Sequence, residues 1–365
     1  MRTGKSARSV LHWQNMPGEG TLDELAPLVG NPSTLIIASG TGRDLIESRF
    51  PLSRASLLLV PSGEPKFESL RALGAVELSN AEVVIAVGGG SVIDSAKFLI
   101  ALSQFPEKLS PQRAERFSSF AIASISSGKP LIAIPTTVGS GAEVSSSAIV
   151  ELGGRKVPVH GSALIPTAYI LDPNLISNKG GDVAIGMLDM LGHAVESLFS
   201  RHRSRHFDFQ SASVCRTVIE LSKFDSLDES QMRCLQAASA VAGVLQDVRL
   251  VSIPHALAHS FPEGPHGLRV GVFLGQFLRK LPTVLPEEAD RLNNILELRG
   301  VTRVNVLEAI DALTARTFRQ KKTLGKATAL ELAGVSINPV LKRSSIDVSE
   351  ELLGRFEFLV EEVRD

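Results

Sequence analysis

The chain has 365 residues, with 38 lysines and arginines against 39 aspartates and glutamates, a formal charge of −1. That length exceeds what one hydrophobic core usually fills, so two domains are expected. The balanced charge gives no electrostatic ground for nucleic acid or an anionic membrane as partner and points to a protein that handles small molecules.

The basic N-terminus MRTGKSARSVLHW is followed by no apolar run of signal-peptide length. No stretch approaches the ~18 apolar residues of a membrane helix, and a cytoplasmic protein is expected. From residue 34 to about 135, short apolar runs alternate with amphipathic stretches: TLIIASG, ASLLLVPSG, AEVVIAVGGG running into SVIDSAKFLIALS, and KPLIAIPTT. Continuous Val, Ile and Leu runs closed by Gly, Ser or Thr are the pattern of strands covered by helices on both faces. This half is therefore expected to be a parallel α/β sheet of nucleotide-binding type. After YILDPNLIS the strand pattern fades, and DVAIGMLDMLGHAVESLFS, HFDFQSASVCRTVIELSKF and QMRCLQAASAVAGVLQ carry helical spacing. Pro173 and the Asn178-Lys179-Gly180-Gly181 run punctuate the change. The expected division is residues 1–175, a dinucleotide-binding α/β domain, and residues 176–365, a helical metal and catalytic domain. RHRSRH, residues 201–206, reads as a solvated loop because arginines between its histidines repel cations. Cys215 and Cys234, in helical segments without Cys-x-x-Cys spacing, are expected to be buried, reduced thiols.

VVIAVGGGSVIDSAK has the grammar of a strand, three glycines, and a helix opened by Ser91 as its cap. Three glycines let the backbone pass close to a bulky anion, while the helix N-terminus favours phosphate; an ordinary tight turn needs one glycine. The motif is neither GxGxxG nor a P-loop, which leaves kinase or ATPase chemistry without support. A second polar turn, PTTVGSGAEVSSS, offers the hydroxyls of Thr136, Thr137 and Ser140. It is readable either as the other wall of a dinucleotide site or as a plain solvated loop.

Asp189 and His193 in GMLDMLGHAVE stand four residues apart, on one face of a helix, as do His255 and His259 in PHALAH; His266 follows in PHG. Four of these five side chains suffice to close around one ion. Carboxylate with imidazole suits Fe²⁺ or Zn²⁺ rather than Ca²⁺ or Mg²⁺. Ala256 stands where a zinc protease helix would need a glutamate, which argues against proteolysis.

In this order GGGSVIDSAK, PTTVGSGAEV, LDMLGHAVE, HALAH and PHG resemble the iron-containing (group III) alcohol dehydrogenase family, over residues 35–267. The resemblance implies a dehydroquinate synthase-like fold, a homodimer, and NAD(P)-dependent interconversion of an alcohol with an aldehyde or ketone. It implies Asp189, His193, His255 and His266 as metal ligands, and His259 as a catalytic residue beside the nicotinamide and substrate. Gly89, Gly90 and Ser91 would meet the pyrophosphate with Asp94 just beyond, and Thr136, Thr137 and Ser140 would line the cofactor. Lys156 resembles a family lysine near the nicotinamide ribose, counted here as both cofactor-binding and catalytic. The chain departs from the pattern in a shorter segment between His259 and His266, which makes His266 the least secure ligand. It departs also at Ser140 and Ala142, and after about Gly275, where no motif is matched.

Within that frame the ion would polarise the carbonyl and hydride would pass directly to or from the nicotinamide, with His259 relaying a proton. Where NAD-preferring members carry an aspartate after the first strand, this chain has Ser39 and Gly40, with Arg43 further on, and NADP(H) is favoured over NAD(H). The alternative is a sugar-phosphate cyclase, a dehydroquinate synthase-like lyase with bound NAD and metal. It fits less well because such enzymes commonly use a glutamate ligand and need extra basic residues for a phosphate substrate. A non-catalytic module binding metal and nucleotide is the remaining reading.

Overall fold

The structure, a computed structural model, describes residues 25–50, 55–61, 63–73, 78, 80–107, 109–110, 120–121, 129–176, 180–200, 204–249, 253–260 and 264–320. The N-terminal basic segment, residues 201–203 of the arginine-rich loop, Asn178 and Lys179 of the expected boundary, and the chain after 320 lie outside the described residues. The chain divides into two compact units. Met1–Thr137 with Ala142–Ile176 form the first, and Val138–Gly141 with Ser177–Asp365 form the second.

In the first unit the described strands are β1 (Thr34–Ala38), β2 (Ser56–Leu59), β3 (Val83–Gly88), β4 (Phe120–Ala121), β5 (Leu131–Pro135), β6 (Ser147–Leu152), β7 (Arg155–His160) and β8 (Ala168–Tyr169). Helices α1 (Ala26–Val29), α2 (Gly40–Glu47), α3 (Phe67–Leu73) and α4 (Gly90–Gln104) intervene. The main sheet runs β2-β1-β3-β5-β8, every pair parallel, as the sequence pattern implies. β1, β3 and β5 are buried at every position, because both faces of the sheet are covered. Leu35, Ile37, Val84, Ala86, Leu131 and Ala133 enter one cluster with Phe67 and Leu70 of α3 and Val92, Ile93 and Ala96 of α4. The alternate positions Ile36, Ala38, Val83, Ile85, Val87, Ile132 and Ile134 enter a second cluster with Leu28, Val29 and Ile46. The period of two therefore sorts an unbroken apolar run into two cores. Because β1 has β2 on one side and β3 on the other, the carboxyl ends of β1 and β3 form the topological switch point where such sheets bind ligands.

A feature absent from the sequence reading is the second sheet, β4-β7-β6. β6 and β7 form an antiparallel hairpin whose two turn residues, Gly153 (φ 57°) and Gly154 (φ 75°), are both left-handed. That turn suits the twist of a hairpin and demands glycine or asparagine. SAIVEL-GG-RKVPVH carries the signal: β6 alternates half-buried and buried side chains along its length.

The second unit holds α5 (Gly180–Ser197), α6 (Arg205–Leu221), α7 (Glu229–Arg249), α8 (Ile253–Ser260), α9 (His266–Val284), α10 (Pro286–Glu297) and α11 (Arg303–Gln320). Nearly every described side chain of α5 is buried, and it packs against α6, α7, α8, α9 and α11. A helix apolar on all sides belongs at the centre of a bundle, so polar groups on it are held away from water. Cys215 is buried as expected, whereas Cys234 is exposed on the outer face of α7. Among the described residues no single helix is long and apolar enough to cross a membrane.

Candidate functional site

At the carboxyl edge of the main sheet the predicted cofactor residues fall at the ends of three adjacent strands. Ser39 caps α2, its Oγ accepting from the Gly42 amide at 3.1 Å, and Gly40 opens that helix. Ser91, expected as the cap of α4, is displaced from that role. β3 runs through Gly88, Gly89 is extended (φ −69°, ψ 178°), and its carbonyl accepts from the Val92 and Ile93 amides at 2.9 and 3.2 Å. Gly89 is thus the cap, Gly90 and Ser91 lie in the first turn, and the Ser91 carbonyl accepts from Ser95 Oγ at 2.7 Å. Helix first-turn amides have no intrahelical acceptor and carry the positive end of the dipole. Thr136 donates its amide to the Gly88 carbonyl at 3.0 Å, and a Cβ on Gly89 would lie 3.1 Å from Thr137 Oγ1. The glycine turn and the two threonines therefore form one polar rim.

Other predicted cofactor residues are engaged elsewhere. Asp94 Oδ2 accepts from the Ile149 amide of β6 at 3.0 Å. Burial pushes its carboxyl up to about 6, against the pull of Lys97 and that amide. Lys97 is fully buried and donates to the Ser145 carbonyl, Ser145 Oγ and the Ser147 carbonyl at 2.8, 3.0 and 2.9 Å. Lys156 on β7 is paired with Glu64 at 2.6 Å. Arg43 is paired with Asp44 at 2.7 Å and lies 3.8 Å from Glu47. Ser140 belongs to the Val138–Gly141 segment of the second unit, in which the Gly139 amide donates to Ser239 Oγ at 2.8 Å.

The metal-type cluster is built inside the second unit from α5, α8 and the first residue of α9. Asp189 Oδ1 lies 3.4 Å from His255 Nε2 and 3.6 Å from His266 Nε2. One ligand atom from each of Asp189, His255 and His266 falls within 4.8 Å of the others. Atoms bound to one tetrahedral ion at usual zinc–nitrogen and zinc–oxygen lengths stand about 3.4 Å apart, so the spacing suits a single ion. His193 stands beside this group rather than in it: its ring stacks on His255 with centroids 4.5 Å apart and planes 16° from parallel. His259, partly exposed, has its ring centroid 4.9 Å from that of His266 and 6.2 Å from that of His255. Of the sequence-derived ligand set, it is therefore His193 and not His266 that sits apart.

Two local features bring His266 to Asp189. A Cβ on Gly267 would lie 2.2 Å from the Ile185 carbonyl oxygen, so only glycine lets the first turn of α9 rest on the backbone of α5. Arg269, the largest fully buried side chain among the described residues, donates from Nε to the Ala258 carbonyl at 3.1 Å and from Nη1 to the Gly264 carbonyl. It ties the end of α8 to the start of α9 across the short segment between the histidines.

The two stacked imidazoles feel opposite electrostatics. Burial lowers His193 to about 4, against the pull of Asp189. Burial also pulls on His255, yet the carboxylates of Glu196 and Asp189 outweigh it and push that imidazole up to about 10. Buried and without a hydrogen-bond partner are His255 Nε2 and His193 Nδ1, nitrogens of the kind a metal satisfies. The donor set therefore fits Fe²⁺ or Zn²⁺. Glu196 was missed from the sequence: its Oε1 lies 2.6 Å from His255 Nδ1, deep in the core. Its position three residues after His193 and seven after Asp189 puts it on their helix face, and that spacing was the available signal.

Parts of the chain are similar to known proteins. Residues 16–173 match the protein-family model for iron-containing alcohol dehydrogenase. An aldehyde-alcohol dehydrogenase of Streptococcus pneumoniae is 30% identical over 188 residues, 49% of this chain and 21% of that protein. The probable alcohol dehydrogenase EutG of Escherichia coli is 27% identical over 266 residues, 70% of this chain and 66% of that protein. The chain thus spans about a fifth of the length of the first relative and just under two thirds of the second. The solved structure of an iron-containing alcohol dehydrogenase from Thermococcus thioreducens superposes with a TM-score of 0.70 at 24% identity, covering 95% of this chain and 97% of that one. A sulfoacetaldehyde reductase from Bifidobacterium kashiwanohense, solved with NAD⁺, gives 0.70 at 21% identity, covering 94% and 96%. At these identities the structural likeness speaks for the fold.

Proposed function

We propose, from the premise that this chain belongs to the iron-containing alcohol dehydrogenase family, that it is a metal-dependent oxidoreductase interconverting an alcohol with an aldehyde or ketone. The observation that carries this reading is the convergence of Asp189, His255 and His266 within 4.8 Å, with a buried His255 nitrogen awaiting a partner.

Asp189, His255 and His266, whose ligand atoms converge, would hold the ion, with His193, stacked on His255, as the fourth ligand that the family resemblance implies. When bound, a divalent ion supplies Lewis acidity toward the substrate oxygen and a nicotinamide cofactor supplies or accepts the hydride. The residues do the rest. The first-turn amides of α4 at Gly90 and Ser91, with Gly89 before them, hold the pyrophosphate, and Thr136 and Thr137 donate hydroxyls beside them. Ser140 would add a further hydroxyl, and Asp94 would stand behind the turn. Partly exposed His259, next to His266, moves a proton between the substrate oxygen and solvent. Ser39 and Gly40 place no acid where a 2′-phosphate would lie, which supports NADP(H) over NAD(H). Arg43 and Lys156 would contribute charge to the cofactor in competition with their present carboxylate partners. A cytoplasmic homodimer completes the reading, with the homodimer supported by the family resemblance.

The relatives named above are alcohol or aldehyde oxidoreductases, which favours this reading over the sugar-phosphate cyclase. The test is turnover by protein stripped with chelator and reloaded with Fe²⁺ or Zn²⁺, across aldehydes and ketones, followed as loss of NADPH or NADH. Consumption by reloaded protein only, with kcat/KM higher for NADPH, is expected. A strong NADH preference would refute the cofactor choice. Substrate conversion without net cofactor oxidation would identify the cyclase, and binding without turnover on any substrate the non-catalytic module.

A further inference from the structure

Glu196 lies in the second unit with 1% of its surface exposed, on the same face of α5 as Asp189 and His193. A carboxylate so buried persists only against a cation or a strong donor. Here a donor is His255 Nδ1 at 2.6 Å, the length of a charge-assisted hydrogen bond. The two nitrogens of an imidazole point in diverging directions, so the ring cannot turn both to one ion. With Nδ1 given to Glu196, the nitrogen left for the cluster is Nε2, the one that lies 3.4 Å from Asp189 Oδ1 and makes no hydrogen bond. Stacking against His193, at 4.5 Å and 16°, holds the plane of the same ring from its face. Glu196 itself is not one of the three residues whose ligand atoms converge.

We infer that Glu196 is a positioning residue: by accepting the Nδ1–H of His255 it fixes the tautomer and aim of that ring, so that Nε2 is presented to the metal. The inference rests on the proposed metal centre. It adds that the affinity of the centre is set partly from a residue that never touches the ion.

The experiment uses the full chain. Zinc dissociation constants are measured by competition with a chelator for wild type, Glu196→Leu and Glu196→Gln, each also in a His255→Ala background. Thermal melts of the metal-free proteins report folding, and ¹⁵N shifts of the histidine rings in zinc-loaded protein report the tautomer. Glu196→Leu is expected to bind zinc about 10- to 100-fold more weakly. Glu196→Gln should fall between it and wild type, because its amide oxygen still accepts from Nδ1–H. In the His255→Ala background both substitutions should change affinity by less than about twofold, the mark of action through one partner. Wild type should show His255 protonated at Nδ1 and metal-bound at Nε2. Zinc binding unchanged by either substitution, or an equal loss with and without His255, overturns the inference while the metal centre stands. Should Glu196→Leu fail to fold, Glu196→Gln decides by the same comparison. If wild type takes up no metal, the proposed function falls and the role of Glu196 with it.

Discussion

The two units build their candidate sites from different materials. The edge of the parallel sheet is made of backbone: first-turn amides, glycines, and short hydroxyl side chains at strand ends. The centre of the helical unit is made of side chains, an acid and imidazoles drawn from three helices into a largely buried space. A backbone site tolerates many residues provided the chain keeps its course, whereas a side-chain site depends on each donor. Substitutions should therefore act differently in the two units, through the fold and the cofactor in one and through the ion in the other.

The largest effect is expected in the side-chain site. Asp189 supplies the anionic oxygen of the converging group, and Asp189→Asn keeps its size while removing the charge. Loss of ion-derived stabilisation of several kcal/mol corresponds to a fall of roughly a thousandfold in kcat/KM. Metal content measured on the purified variant should fall in parallel, while the cofactor affinity of the first unit stays as in wild type. A variant that retains both metal and turnover would remove Asp189 from the site and break the contrast at its strongest point.

Next in size comes a pair of glycines at the backbone site. A Cβ on Gly42 would stand 2.1 Å from the Val87 carbonyl oxygen, at the end of β3, whereas nothing lies within 4 Å of a Cβ on Gly40. Gly42→Ala has to push α2 away from the sheet and should lower stability by about 3 kcal/mol in a denaturant titration. Gly40→Ala should leave the melt unchanged within about 0.5 kcal/mol. If a cofactor passes close to this helix start, the same substitution raises KM for NADPH. Equal stability losses in both variants would show that the edge is shaped by packing alone.

The same contrast explains what the sequence disclosed. Strands β1, β3 and β5 were legible because an apolar run covered on both faces has no competing interpretation between turn residues. The hairpin went unread: SAIVEL and RKVPVH follow the polar turn PTTVGSGAEVSSS, and the paired glycines between them announce a turn. Helical spacing put Asp189, His193 and Glu196 on one face, but spacing within a helix does not say which ring meets a ring from elsewhere. That is decided by packing such as Gly267 against Ile185 and by the Arg269 tie, which bring His266 to Asp189 and His255 across the short segment, while His193 lies outside that trio. Ser91 lost its capping role for a smaller reason, a helix that begins two residues earlier than the polar side chain suggests.

The smallest effect concerns Asp94, a side chain in the backbone-built unit whose use separates fold from cofactor. Its carboxyl, raised to about 6 by burial, accepts the Ile149 amide; Lys97 and Lys156 oppose the rise and Glu64 adds to it. A group whose folded value lies above its ordinary 3.8 contributes its full stability below about pH 4, where folded and unfolded chains both hold the proton. That contribution is lost as the pH climbs through about 6, because the folded chain must then keep a buried charge. Asp94→Asn stays neutral throughout and still offers an oxygen to Ile149. Its melting temperature should match wild type near pH 4 and exceed it by about 3 °C above pH 7, with KM for NADPH little changed. An unaltered pH profile together with a tenfold rise in KM would instead assign Asp94 to the cofactor, and would mean that the first unit, like the second, commits a charged side chain to its ligand.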